Sequence, residues 1–62
     1  MAKYYYARLT ADGIKRDIRV LAKTTADAQK QIKSMFSKIS WNKVPVAGSG
    51  KNGAAPPNWF NG

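Results

Sequence analysis

Six aromatic and basic residues in the first 23 positions have a spacing that would place them on one surface of a β-sheet. Side chains alternate between the two faces of a strand, so residues two positions apart share a face. Tyrosine rings can stack on nucleic-acid bases, guanidinium groups can bond base edges, and ammonium groups can contact phosphates. We therefore predict that the residues contacting nucleic acid are Tyr4, Tyr6, Arg8, Lys15, Arg19 and Lys23.

The residue inventory argues against catalysis. The chain has no histidine, cysteine or glutamate, and position assigns Asp12 to a turn, Asp17 to a cross-strand pair and Asp27 to a helix N-terminus. The glycine-rich stretch AGSGKNG lacks the Gly-Lys-Ser/Thr order of a phosphate-binding loop. We predict no enzyme activity, no catalytic residue, no metal site and no cofactor.

The net charge predicts the class of partner. Eleven Lys and Arg residues and three acidic residues give the 62-residue chain a formal charge of +8, which attracts polyanions such as nucleic acid or an acidic protein surface. No apolar run approaches the ~20 residues that span a membrane. We expect nucleic acid as the partner, DNA in preference to RNA, with no membrane and no small-molecule substrate. The expected location is the cytoplasm of a host cell or the inside of a virus particle.

Two predicted strands would position the six residues. Residues 3–10 are mostly aromatic or otherwise compatible with a strand, and apolar residues alternate with charged ones along residues 14–23. Between them lies Asp12-Gly13, and a two-residue Asp-Gly loop between such segments predicts a hairpin with a type I′ turn.

The turn fixes the pairing of the two strands. It places Arg19 opposite Tyr6 and Asp17 opposite Arg8, all on one face. Arg16 is the charged exception on the other face, where it can extend outward at the hairpin tip. The apolar members of that face would be Tyr5, Ala7, Leu9, Ala11, Ile14, Ile18 and Val20.

A helix and a third strand should follow the hairpin. Thr24 or Thr25 can cap the N-terminus of a helix, and Asp27 suits the positive end of the helix dipole. Residues 40–46 indicate a strand at the sheet edge, because Pro45 cannot donate a hydrogen bond to a neighbouring strand. The apolar stripe of the helix is predicted to be Ala28, Ile32, Met35, Phe36 and Ile39.

These elements predict an α+β fold, in which a three-stranded antiparallel sheet of order β-β-α-β carries one helix on one face. Residues 2–46 would form this basic domain, and residues 47–62 a flexible tail rich in Gly, Pro and Asn. Trp59 and Phe60 could fold back on the domain or enter a pocket of a partner. The pattern does not decide whether Trp41 faces the helix or the open side of the sheet.

The stretches YYYARLTADGIKRDIRV and AKTTADAQKQI resemble the small arm-type, AP2-like DNA-binding domains at the N-termini of phage and transposon tyrosine recombinases. The resemblance covers about residues 3–36: an aromatic strand, an Asp-Gly turn, a basic strand, then Lys-Thr and an alanine-containing helix. In that family the sheet enters the major groove of DNA. The resemblance therefore implies that the same six residues contact DNA. The family usually completes its sheet before the helix, whereas a third strand is predicted here after it.

Other interpretations of the basic face remain open. Small basic proteins of β-β-α-β order also resemble phage-encoded inhibitors, and such a protein would dock on an acidic surface of a host enzyme or defence complex. A virion component would contact the packaged genome with this face and a capsid protein with its tail. The simplest alternative is an ordinary solvated sheet face.

Overall fold

The hairpin forms around Asp12 and Gly13 as the sequence predicts. In the computed structural model, which describes residues 2–61, β1 (Lys3–Ala11) and β2 (Ile14–Ala22) pair antiparallel. Asp12 has a φ of 54° and Gly13 a φ of 79°, and a type I′ turn requires positive φ at both central residues. The predicted cross-strand register is confirmed along the whole hairpin.

The third strand, β3 (Ile39–Ala47), pairs antiparallel with the other edge of β1, so that the strand order is β2-β1-β3. It is one residue longer at each end than predicted. The pairing is irregular between Tyr6 and Arg8 and again between Arg8 and Leu9, and each irregularity leaves an extra residue on β3. Pro45 lies in the irregularity between Tyr6 and Arg8. A bulge on an edge strand tolerates proline, which cannot donate a backbone hydrogen bond.

The helix, α1 (Thr25–Met35), begins at a hydrogen-bonded cap. The hydroxyl oxygen of Thr24 accepts a hydrogen bond of 3.1 Å from the amide of Asp27, and the Asp27 carboxylate lies in the first turn, near the positive end of the dipole. The helix ends at Met35 because Phe36 has extended backbone angles. The predicted apolar stripe is therefore wrong in its second half: Met35 is 53% exposed, and Phe36 lies beyond the helix.

The core lies between α1 and one face of the sheet. Its buried members are Tyr5, Ala7, Leu9, Ala11, Val20, Ala22, Ala28 and Ile32. Partly buried residues pack around them, namely Ile18, Phe36, Ile39 and Trp41. Trp41 therefore lies on the helix side, and Ile39 joins the core from β3 rather than from the helix. Ile14, predicted for the same face, is 54% exposed because it is the first residue of β2 at the hairpin tip.

After β3 the chain turns back across the sheet face that α1 does not contact. The amide of Gly48 donates to the carbonyl of Tyr4 at 3.1 Å, and Ser49 and Ala55 exchange two backbone hydrogen bonds of 2.8 Å. A 3-10 turn (Lys51–Gly53) lies between these two residues. Of the two possibilities for the aromatic end of the tail, the structure has it folded back on the domain.

The observed architecture confirms the predicted α+β fold with β-β-α-β order. Among the helices formed by residues 2–61, none is long and apolar enough to cross a membrane.

Candidate functional site

The sheet face opposite α1, which we call the outer face, is divided into a covered and an exposed part. Residues 57–61, the tail cover, lie over Tyr6 and Arg8 near the middle of this face. The other predicted contact residues form what we call the cation strip, which consists of Tyr4, Lys15, Arg19 and Lys23. The hairpin register gives the first three of these the same side of the sheet, and Lys23 lies in the bend that follows β2.

Tyr6 is buried beneath the tail, which contradicts its predicted exposure to solvent. Its exposed fraction is 0%. The hydroxyl group donates to the carbonyl of Gly53 at 2.7 Å, and the ring meets that of Phe60 edge-on at a centroid distance of 4.7 Å. The ring also lies so close to Gly48 that a Cβ at that position would be 2.4 Å from Tyr6 Cε1. In this conformation Tyr6 is not available to a ligand.

Arg8 and Asp17 form an ion pair that also holds the end of the tail. The Arg8 guanidinium donates to both carboxylate oxygens, at 2.8 Å from Nε and 3.1 Å from Nη2, a geometry favoured between these groups. Asp17 accepts a further hydrogen bond of 2.7 Å from the amide of Asn61, and Arg8 donates to the carbonyl of Trp59. The tail cover is therefore hydrogen-bonded to both members of the ion pair.

The same contacts change the acidity of the two groups. The hydrogen bond from Arg8 lowers the pKa of Asp17; burial of the carboxylate acts in the opposite direction, and the bond from Asn61 adds to the lowering. The hydrogen bond to Asp17 in turn raises the pKa of Arg8. Both groups therefore remain charged at neutral pH.

Trp59 lies beside two cations from neighbouring strands. Its ring centroid is 5.5 Å from the guanidinium carbon of Arg8 and 5.5 Å from Lys43 Nζ, distances at which a cation is attracted to an aromatic ring. Simple alternation from Trp41 would give Lys43 the helix side. The extra residue in β3 between Trp41 and Lys43 reverses the alternation and turns Lys43 to the outer face.

The cation strip is open to solvent. Lys15, Arg19 and Lys23 are exposed and Tyr4 is partly so. The Arg19 guanidinium carbon is 4.8 Å from the Tyr4 ring centroid, an exposed cation–π pair. The adjacent Leu21, which is 51% exposed, extends the apolar surface of the ring.

Positive charge on this protein is largely uncompensated. Within residues 2–61, Arg8 is the single basic residue, out of eleven in the chain, that pairs with an acidic side chain. The cations of the strip therefore present their charge to the solvent.

The structure brings five of the six predicted residues to one face, with Lys23 in the bend after β2, but separates them by accessibility. Tyr6 is buried and Arg8 is partly covered, and the residues of the cation strip are exposed or partly exposed. The residues that sequence reasoning missed are Lys43, which a bulge redirects, and Asn61, whose backbone amide rather than side chain makes the contact. Two aromatic residues in an otherwise polar tail, Trp59 and Phe60, indicated that their rings would be packed against a surface. The sequence did not indicate which surface.

Comparison with protein-family models, with curated proteins and with solved structures finds no match.

Proposed function

We propose that this protein binds nucleic acid through the cation strip of its outer face. Three exposed cations in the strip can neutralise phosphates, and the ring of Tyr4 can stack on a base. Arg19 is suited to a base edge, because a guanidinium group can bond two acceptors of guanine at once. Phosphate contacts would supply most of the affinity. Arg19 would supply the preference for one nucleotide sequence over another.

The observation that carries the proposal is the position of Arg19 over the partly exposed ring of Tyr4, 4.8 Å from its centroid, where no acidic side chain of residues 2–61 pairs with it. A surface needed only for solubility would not require an aromatic ring beside its cation. DNA is proposed before RNA because residues 3–36 resemble DNA-binding domains of the arm type.

Titration of labelled duplex and single-stranded oligonucleotides, followed by fluorescence anisotropy at two salt concentrations, tests the proposal. If Lys15 and Lys23 contact two phosphates on a duplex while Arg19 contacts a base, the logarithm of the binding constant should fall against log salt with a slope of about −2. No binding at low salt would reject the proposed function.

Arg16 provides a matched control for Arg19. Both are exposed arginines of β2, but Arg16 belongs to the helix side, where its guanidinium carbon is 5.9 Å from the Phe36 ring centroid. Arg19→Ala should weaken binding about tenfold, a loss within the range for a base-contacting arginine, and Arg16→Ala much less. Equal losses would mean that net charge, and not the outer face, determines binding.

An acidic host protein is the competing partner. A pull-down from nuclease-treated host lysate separates the two, because a nucleic-acid surface should lose its partners on nuclease treatment. Retention of one host protein in stoichiometric amount, with loss of that protein on Arg19→Ala, would replace nucleic acid as the proposed ligand of the strip.

A further inference from the structure

The tail consists of two parts that are held in different ways. Residues 48–55 are bound by backbone hydrogen bonds and by close glycine packing: a Cβ at Gly53 would lie 2.7 Å from the Tyr4 carbonyl oxygen. Residues 57–61, the tail cover, rest on the sheet through two aromatic rings and through hydrogen bonds to the Arg8 and Asp17 side chains. The first part is built into the fold, and the second rests on its surface.

The surface beneath the tail cover has the chemistry of a nucleotide-binding position. It contains the part of the Tyr6 ring that Phe60 contacts, whereas the hydroxyl and Cε1 of that ring stay beneath residues 48–55. It also contains the cations of Arg8, on the same strand, and of Lys43, on β3. An aromatic ring beside cations is the combination with which proteins hold single-stranded nucleic acid, since the ring stacks on a base and the cations contact the backbone. In the structure, the rings of Phe60 and Trp59 occupy this position.

From this arrangement we propose that the tail cover is a displaceable occupant of a second nucleotide position, formed by Tyr6, Arg8 and Lys43, and that single-stranded nucleic acid replaces it. The inference rests on the proposed function and extends it: binding would begin at the open cation strip and continue beneath the tail.

Charge gives nucleic acid an advantage over the tail cover at this position. The segment PNWFN carries no ionisable side chain, so it leaves the charge of Lys43 uncompensated. To Arg8, whose charge Asp17 already balances, it offers a neutral carbonyl oxygen. A phosphate oxygen would accept the same hydrogen bond with a negative charge, and charge-assisted hydrogen bonds are the stronger kind. A base could replace the edge contact of Phe60 on the Tyr6 ring. The hydrogen bond from the Asn61 backbone amide to Asp17 is the contact of the cover for which a phosphate offers no substitute.

The test uses the full chain with Phe60→Ala, which removes the ring that covers Tyr6 and keeps Trp59. Asn58→Ala is the matched control, since Asn58 is an exposed residue of the same segment. The probe is a labelled oligothymidylate of about 15 nucleotides, near the upper end of common single-strand site sizes. If the cover is closed in about nine of ten molecules, opening it should raise the apparent affinity about tenfold. Asn58→Ala should bind like the wild type.

Amide resonances of the isotope-labelled wild type provide the second readout. At saturating oligothymidylate, the amide of Asn61 should lose the chemical shift that its hydrogen bond to Asp17 produces, while amides of β1 and α1 retain the dispersion of the folded chain. Tighter binding by Phe60→Ala, together with this release, supports the inference.

Other outcomes overturn it in distinguishable ways. If the wild type binds and Phe60→Ala binds equally well or more weakly, or if Asn61 keeps its docked resonance at saturation, the tail cover is a fixed part of the surface and the inference fails alone. If neither the wild type nor Phe60→Ala binds oligothymidylate at low salt while the wild type binds the duplex, the inference again fails alone. If the duplex is not bound either, the proposed function fails, and the inference with it.

Discussion

The two faces of the sheet are covered by segments that differ in chemistry. On one face, α1 buries apolar side chains, among them Leu9 and Ile32, both with 0% exposure. On the other, the tail covers Tyr6 with a hydrogen bond and an aromatic ring, and contacts the Arg8–Asp17 ion pair through hydrogen bonds and a cation–π contact. Both covers exclude water from the middle strand, but they do so with different interactions.

This difference separates the fold from the candidate site. Apolar burial is favourable because it removes surface from water, and no polar ligand offers a substitute for it. Hydrogen bonds and cation–π contacts are directional, and a ligand with acceptors and aromatic rings can make them equally well. The helix side should therefore determine whether the protein folds, and the tail side whether the middle of the outer face is accessible.

Removing apolar contacts from the helix side should have the largest effect. Leu9→Ala deletes a fully buried side chain on the central strand and should cost about 2–5 kcal/mol of unfolding free energy. A core in a domain of this size rarely supplies more than about 3–5 kcal/mol, so the variant should be largely unfolded. Circular dichroism with urea titration measures this.

Ile14→Ala is the control, because Ile14 lies on the same side but is 54% exposed at the hairpin tip. It should change the unfolding free energy by no more than about 0.5 kcal/mol. A loss as large as that of Leu9→Ala would mean that the boundary of the core is drawn incorrectly.

Disturbing the tail side should leave the sheet and helix folded. In Gly48→Ala the new Cβ would lie 2.3 Å from the Gly53 carbonyl oxygen and 2.4 Å from Tyr6 Cε1, so the tail must move away. We expect a loss of about 1–3 kcal/mol, typical of overpacking. Amide spectra should show changes in residues 48–61 and next to Tyr6, while α1 is retained.

Ser49→Ala changes the neighbouring exposed residue and should leave the tail in place. If Gly48→Ala unfolds the whole chain as Leu9→Ala does, the tail side belongs to the core, and the contrast between the two faces is not valid.

Sequence reasoning predicts the elements of this fold well because their signals are local. The Asp12-Gly13 turn fixes the hairpin register, and Thr24 with Asp27 fixes the start of α1, each within four residues. The end of α1 was less predictable, because apolar residues at helical spacing continue past Met35 into β3. Periodicity alone does not record where the backbone stops being helical.

Most residues of the outer face could be predicted from the sequence, but their exposure to solvent could not. Alternation along two strands gives the residues that share the outer face. Whether that face is open depends on a hydrogen bond between Tyr6 and Gly53, 47 positions apart, and on glycines whose missing side chains allow the approach. A tail rich in Gly, Pro and Asn has the composition of a linker. Its composition therefore gives no sign of the few close contacts that hold it on the sheet. The bulge that redirects Lys43 could not be predicted either, because it depends on how β3 pairs with β1.

Acid should release the end of the tail while the helix side remains folded, and this is the smallest effect we expect. The hydrogen bond from Arg8 lowers the pKa of Asp17 in the folded chain. The stability contributed by the carboxylate is therefore complete above its ordinary pKa of about 3.9 and is lost as the pH falls through the lower folded value. Water screens much of the interaction between the two charges, which keeps the change small.

The amide resonance of Asn61, which donates to Asp17 at 2.7 Å, reports this step directly. It should be constant between about pH 7 and pH 5 and move only below about pH 4, while the amide of Ile32 in the helix keeps its position. In Asp17→Asn the side chain cannot titrate, so the low-pH movement of Asn61 should disappear. Movement of the Asn61 and Ile32 resonances together would show that the two covers are lost in one cooperative step. The two faces would then differ in chemistry but would not unfold independently.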